Sequence, residues 1–259
     1  MYTSLAEAEF SEQRAAQYQG ALADYPDAWE HDIVEMLREV QPSSGQTIVD
    51  LGGGTGYFSS LMADAVGPNG EVIIVDPSLS QTSAVNRGKF NNVSVLVQNA
   101  EEIDVGPRKV DTIWSRGAFH HIQEKEKAFL CFSNIAKEDA RLIVADVFQE
   151  QATARFFDDF VARTCITGHE VSYLSAEFAR TLCARTGWGD PEVSRRTMLW
   201  KFASREAMAL FLMTLFAARD GTDLNDCLIA VDRHLEFSEL PDGVYLHWPM
   251  TVMSSRRRH

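Results

Sequence analysis

The chain has 259 residues, 45% of them hydrophobic, and a formal net charge of −13 at pH 7. That length buries a core without disulfide or metal staples, while the acidic balance repels nucleic acid or any other polyphosphate, the only basic run being residues 256–258. The four scattered cysteines, Cys131, Cys165, Cys183 and Cys227, form no Cys-x-x-Cys pair and so point to neither zinc nor a disulfide framework, and apolar runs such as 142–147 and 208–218 are too short to span a membrane.

Two helices are expected first, over 5–19 and over 28–40, where Ile33, Met36, Leu37 and Val40 recur at helical spacing. Pro42, Ser43, Ser44 and Gly45 break that pattern. From Thr47 onward short β-branched runs at 47–51, 71–75, 93–97, 110–115 and 141–147 alternate with helical segments at 57–66, 78–88 and 123–136. Such alternation builds βαβ units around a parallel sheet, and the nearly all-apolar first, fourth and fifth runs fit central strands covered on both faces.

Further on come a helix over 152–164, with Phe156, Phe157, Phe160 and Val161 as its apolar stripe, and a helix over 175–186 stopped by Gly187. A strand over 195–203, helices over 206–219 and 224–235 and a last strand over 244–253 complete the reading. Residues 1–45 are thus expected to form a helical cap, 46–150 an α/β core, and 151–259 lid helices plus the last strands of the same domain.

The segment that carries most chemistry is Val49-Asp50-Leu51-Gly52-Gly53-Gly54-Thr55-Gly56-Tyr57, a strand that ends in a glycine-rich turn and enters a helix. A turn of this kind lets the backbone approach a ligand at the carboxyl end of a parallel strand, where open α/β sheets bind nucleotides. The dinucleotide fingerprint does not close in either register, since Tyr57 or Ser59 stands where its third glycine belongs. Asp76, at the end of the second run and before Pro77, is placed to accept hydrogen bonds from two ribose hydroxyls. Asp50 beside the turn, and the lack of Arg or Lys within it, favour a sulfonium and ammonium over a pyrophosphate, and so S-adenosylmethionine over NAD.

The stretch from Asp50 to Gly56 resembles the first motif of class I methyltransferases, and Asp76 resembles their ribose-binding acid. Asn99-Ala100-Glu101 resembles their adenine-contacting segment, residues 110–121 resemble the fourth-strand motif of the ubiquinone/menaquinone-type enzymes, and 140–147 their fifth strand. The resemblance covers 46–147, roughly two-fifths of the chain; the two helices inserted over 206–235 depart from the simple family pattern. It implies an α/β, Rossmann-like, seven-stranded and mostly parallel sheet in the order 3-2-1-4-5-7-6, strand 7 antiparallel, with a helical cap. It also implies S-adenosylmethionine as cofactor, S-adenosylhomocysteine as product, and cofactor contacts from Tyr18, Asp50, Gly52, Gly53, Gly54, Gly56, Asp76, Pro77, Asn99, Ala100, Glu101, Ser115 and Arg116.

His120 and His121 follow the fourth strand; as consecutive residues at a strand end they are expected to face opposite ways, and with no acidic cluster beside them no metal is expected. His121 is the candidate general base, with a purely structural role as the alternative. Arg14, His120, His121, His169 and Tyr173 are candidate substrate contacts, as are Phe156, Phe157 and Phe160, a stripe that fits either ordinary core or an apolar pocket. Tyr18 and Arg14 fit either a helix closing over the cofactor or a solvated helix face.

Methyl transfer to an O, N, C or S nucleophile of a small metabolite is the expected reaction. A SAM-consuming cyclisation or cleavage that releases methylthioadenosine is the alternative on the same motifs. A non-catalytic scaffold fits less well with the intact set of Asp50, Gly54 and Asp76, and a nicotinamide dehydrogenase lacks its third glycine. A small-molecule substrate, no nucleic-acid or membrane partner, and a monomer or homodimer are expected; no signal-peptide pattern opens the sequence, which fits the cytoplasm.

Overall fold

A computed structural model describes residues 12–83, 85 and 91–258. These fall into two compact units, one built from 37–148, 171–194 and 251–258, the other from 12–36, 149–170 and 195–250. Among the described residues no helix is long and apolar enough to cross a membrane.

The first unit carries strands β1 (Thr47–Leu51), β2 (Glu71–Val75), β3 (Val93–Leu96), β4 (Val110–Arg116) and β5 (Ala136–Asp146), paired in parallel in the order β3-β2-β1-β4-β5. The chain continues through β6 (Glu192–Phe202), β7 (Glu236–Leu240) and β8 (Gly243–Arg256). The full order is β3-β2-β1-β4-β5-β8-β6, with β7 paired to β8 alone and β8 antiparallel to β5. The expected order and the antiparallel last strand are therefore present, and β7 is one strand more than the sequence reading contained.

Central strands are apolar here because helices cover the sheet: Ile48, Val49, Ile73, Ile74, Ile113 and Leu142 are fully buried. Val49, Leu51, Ile73, Val75, Ile113, Leu142 and Val144 form one core with Phe129 and Phe132 of helix Lys125–Ile135 and Leu182 of helix Ala176–Thr186. Helix Tyr57–Val66 packs on β1, β2 and β3, burying Met62, Ala63 and Val66. Both ends of helix Ala176–Thr186 are closed by sequence, with the Ser175 hydroxyl accepting from Phe178 N–H and Gly187 in the left-handed conformation. Of the helix expected over 78–88, Leu79–Thr82 is helical and 84 and 86–90 lie outside the described residues.

The second unit is an aromatic core. Trp200 on β6 stacks on Trp248 of β8 at 4.6 Å and 12°, Phe216 stacks on Trp248 at 5.8 Å, and Phe156 stacks on Phe160 at 5.5 Å. The helix expected over 152–164 is there, but it opens as Ala152–Phe156, passes through a π turn at Phe157–Val161 and returns to α geometry at Ala162–Thr164. The extra residue of a π turn brings Phe156, Phe157 and Phe160 into contact with Phe216 or Trp248 or with one another. Helix Glu12–Asp24 runs five residues past the expected end at 19, and the expected start at 5 lies outside the described residues.

Within this unit Asp32 is fully buried and accepts from the Trp200 indole N–H at 3.1 Å. Asp32→Ala strands that donor, so a loss of about 1–3 kcal/mol in urea unfolding is expected, with Asp32→Asn costing clearly less because its carbonyl still accepts.

Candidate functional site

The parallel strands of the first unit deliver polar residues to one edge, and three of them carry an aspartate at or next to their carboxyl end: Asp50 one residue before the end of β1, Asp76 just after β2, and Asp146 at the end of β5. All three are buried, and each is supplied with hydrogen-bond donors to a different extent.

Asp50 accepts from the Ser59 hydroxyl at 2.5 Å. Burial dominates its titration and pushes the pKa up to about 6; the Ser59 bond pulls it down and the nearby Asp76 charge adds to the rise. Asp76 accepts from Gly54 N–H at 3.0 Å and from Ser78 N–H at 2.8 Å. Burial also raises its pKa to about 6 against those two backbone bonds. Two buried carboxylates with few donors thus lie near one another, an arrangement suited to a cation or to hydroxyl groups and hostile to phosphate.

The turn between them is shaped by close approach as well as by dihedral angles. A Cβ on Gly52 would lie 2.3 Å from the Cβ of Ala118, so only glycine lets the turn after β1 touch the turn after β4. Gly54 has φ +50°, a backbone conformation that suits glycine, and a Cβ there would be in ordinary contact with Gln81 Oε1 at 3.7 Å and Asp76 Oδ2 at 3.9 Å. Gly53 sits against the Asp50 carboxyl group, and Gly56 leads into the helix at Tyr57 in the left-handed conformation.

Pro77 follows Asp76, two residues past the end of β2. Asn99 precedes a single turn, Ala100–Glu102, and makes no capping bond with its side chain; Ala100 is buried, and the Glu101 carboxylate accepts from Glu124 N–H at 3.4 Å. Ser115 is buried with no partner for its hydroxyl among the described residues, and the Arg116 guanidinium lies 5.3 Å over the Phe58 ring.

The histidines differ from the expectation. β4 stops at Arg116, and His120 and His121 lie in one tight turn, Phe119–His121, with ring centroids 4.2 Å apart, so they do not face opposite ways as strand residues would. An acid does accompany them. Asp146 accepts from the His120 backbone N–H at 3.0 Å and pairs with His120 Nδ1 at 2.6 Å. Burial works against the Asp146 carboxylate, but the His120 charge and the bonds from His120 and Val147 outweigh it and hold its pKa below the usual range. Tyr173 is beside this turn, 6.5 Å from His120 between ring centroids, and Ser172 N–H donates to His120 O at 2.8 Å.

Asp146 was absent from the candidates, although Val144-Ala145-Asp146 repeats the signal that marked Asp50 and Asp76, an acid closing an apolar strand. Lys125 was also absent. It is 2% exposed and donates to Ile122 O, and burial pushes its pKa down to about 8 against the Asp146 and Glu101 charges.

Six other candidates belong to the second unit. Arg14 is buried and donates to the Thr167 hydroxyl at 3.2 Å, Tyr18 is half-buried, and His169 meets the Phe157 ring edge-on at 4.9 Å. Phe156, Phe157 and Phe160 are each buried in that unit's core.

A family profile described as methyltransferase domain matches residues 42–191. The ubiquinone/menaquinone biosynthesis C-methyltransferase of Salmonella arizonae is 31% identical over 107 residues, which is 39% of this chain and 43% of that protein. The match thus spans less than half the length of the curated relative. Among solved structures, phosphoethanolamine N-methyltransferase 2 of Haemonchus contortus, in complex with phosphomonomethylethanolamine and S-adenosylhomocysteine, aligns over 100% of this chain and 61% of its own with a TM-score of 0.68 at 15% identity. A SAM-dependent methyltransferase of Thermotoga maritima aligns over 98% of this chain and 100% of its own with a TM-score of 0.65 at 17% identity. At such identities the likeness is one of fold.

The raised pKa values of Asp50 and Asp76 have a signed consequence. Between the ordinary value of 3.8 and about 6 the folded chain holds protons that the unfolded chain has released, so both groups subtract stability as pH rises through that window. Asp50→Asn is therefore expected to raise the stability of the ligand-free protein by up to about 3 kcal/mol near neutral pH, with the gain fading towards about pH 4, as read from thermal melts across that range.

Proposed function

The chain belongs to the methyltransferase-domain family, the class I S-adenosylmethionine-dependent methyltransferases, and on that footing we propose that it methylates an O, N, C or S nucleophile of a small-molecule metabolite. The observation that carries this reading is the pair of buried carboxylates, Asp50 and Asp76, flanking a glycine turn with no basic residue in it. That pair of acceptors fits S-adenosylmethionine: carboxylates favour its sulfonium, ammonium and ribose hydroxyls.

When bound, the cofactor supplies a methyl group on a sulfonium, open to in-line displacement. The protein's task is then alignment and exclusion of water. In this reading Gly52, Gly53, Gly54 and Gly56 shape the cradle and Asp50 balances the positive charge. Asp76 accepts from the ribose, and Pro77 fixes the backbone that follows it. Asn99, Ala100 and Glu101 border the adenine, Ser115 and Arg116 border the methionine moiety, and Tyr18 closes over the cofactor. Arg14, His120, Phe156, Phe157, Phe160, His169 and Tyr173 are assigned to the acceptor, and His121 to removal of a proton from a poor nucleophile. A cytoplasmic monomer or homodimer acting without nucleic acid or membrane completes the proposal.

Calorimetric titration with S-adenosylhomocysteine is expected to give micromolar binding that Asp76→Ala weakens at least about tenfold, with no binding of NADH. Failure of the wild-type protein to bind the adduct would overturn the cofactor assignment. Once an acceptor is identified, His121→Ala should slow turnover by about a hundredfold without changing adduct affinity; full activity in that variant would remove the base from the mechanism.

A further inference from the structure

Arg141 lies five residues before Asp146 in β5, about 17 Å away at the rise of a strand, and it faces another arginine. Arg256 of β8 is its direct partner in the antiparallel ladder. Next to them, Arg257 N–H donates to Ala140 O at 2.8 Å, so Ala140 and Arg257 are a hydrogen-bonded pair, while Gly189 N–H donates to Arg256 O at 2.7 Å on the side away from β5. Arg141 and Arg256 therefore form a non-hydrogen-bonded pair, the kind in which Cα atoms approach to about 4.5 Å and the side chains leave one face of the sheet close together. Like charges in that position destabilise a ladder.

Neither guanidinium makes an ion pair with a carboxylate among the described residues. Arg141 is half-buried and donates to Val40 O at 2.6 Å and to Glu39 O at 2.8 Å, at the end of helix Glu30–Val40, which fixes the direction of its fork. Arg256 is exposed and makes one long bond, 3.4 Å, to Asp139 O. Burial lowers the pKa of Arg141, and the Arg256 charge lowers it further against the opposing charge of Glu39. Neighbouring cations are taken up elsewhere, Lys137 by both carboxylate oxygens of Asp111 at 2.8 Å and Arg257 by Ser133 O at 3.4 Å and Gly187 O at 2.5 Å. The helix end accounts for Arg141, but not for a second positive charge set directly against it.

We propose that Arg141 and Arg256 form a binding site for a phosphate group, either the free ion or a small phosphomonoester. Each guanidinium keeps N–H donors that none of the bonds above uses. Two neighbouring forks match a tetrahedral dianion both in donors and in charge, whereas a carboxylate brings two oxygens and a single charge. The formal net charge of −13 supplies no long-range attraction, so affinity comes from the two forks and weakens with salt. This site stands apart from the cofactor edge and does not depend on the cofactor reading.

The test follows melting temperature against sodium phosphate, with sodium chloride at equal ionic strength as the reference, for the wild-type chain, Arg256→Gln and Arg256→Glu. Arg141 stays in place because it also closes a helix end. Inorganic phosphate is expected to protect the wild-type chain beyond chloride and to saturate in the millimolar range, with Arg256→Gln weakening the apparent affinity at least about fivefold. In chloride, Arg256→Gln should melt no lower than the wild type, since a like-charge pair is gone. Arg256→Glu should melt higher still and lose the response to phosphate, because its own carboxylate takes the anion's place beside Arg141. Glycerol 2-phosphate separates the two sources: protection equal to that of inorganic phosphate shows that an ester is accepted, and protection by inorganic phosphate alone confines the site to the free ion. No protection of the wild-type chain beyond chloride would overturn the site. So would a phosphate response of equal size in all three proteins, which is what general exclusion of phosphate from protein surfaces produces.

Discussion

The first unit depends on where parallel strands put their last residues. Parallel strands fed by helices all end at the same edge, and the apolar side chains before the end fix which face each strand presents. A carboxylate placed at such an end is buried by its neighbours whether or not it has partners. Asp146 is well supplied, by a histidine ring and two backbone N–H groups, and its pKa stays low. Asp50 and Asp76, with one hydroxyl and two backbone donors respectively, are undersupplied and rise to about 6. The fold thus holds two carboxylates where burial disfavours their charged form, and neither has a cationic side chain among its hydrogen-bond partners in the described residues.

The same edge is knitted into one piece by contacts that leave no room for larger residues. Gly52 lies against Ala118, whose carbonyl accepts from His121 N–H at 3.1 Å, and His120 two residues later is fastened by Asp146. A run of contacts therefore links the turn after β1 to the end of β5 through the turn after β4. Displacing Asp146 would disturb the histidine turn, and through Ala118 the glycine turn. Lys125, whose ammonium is fastened to Ile122 O, secures the other end of the histidine turn. The apolar core beneath, with Phe119 against Phe129 at 5.8 Å, keeps that turn from shifting.

What sequence made legible and what it concealed follow from the range of the interactions involved. β1, β2 and β4 were readable because burial on both faces writes a run of apolar residues, and the glycine turn because several glycines occur together where a strand meets a helix. β5 begins at Ala136, five residues before the expected start, because Lys137, Glu138 and Asp139 read as a turn; Asp139 does take φ +61°, and the ladder to β4 is irregular there. β7 escaped because Glu-Phe-Ser-Glu-Leu holds two apolar residues, although the Pro241-Asp242-Gly243 turn after it is a hairpin signal. The pairing of His120 with Asp146 spans 26 positions, and nothing local to either residue announces it.

A related contrast separates the cofactor from the acceptor. The family profile covers 42–191 and so includes every strand end that carries an aspartate, whereas 195–250, the larger part of the second unit, lies beyond it. Strand ends are constrained by geometry: one strand, one last residue, one edge. The aromatic core of the second unit obeys only the weaker demand that Trp200, Trp248, Phe156, Phe211 and Phe216 fill their volume, and many combinations of large side chains meet it. A π turn inside that core shifts the phase of the Phe156–Phe160 stripe in a way that helical spacing does not foretell. Acceptor recognition, if it draws on those residues, is therefore written in shape and not in motif, and it can diverge between relatives that keep the same cofactor edge.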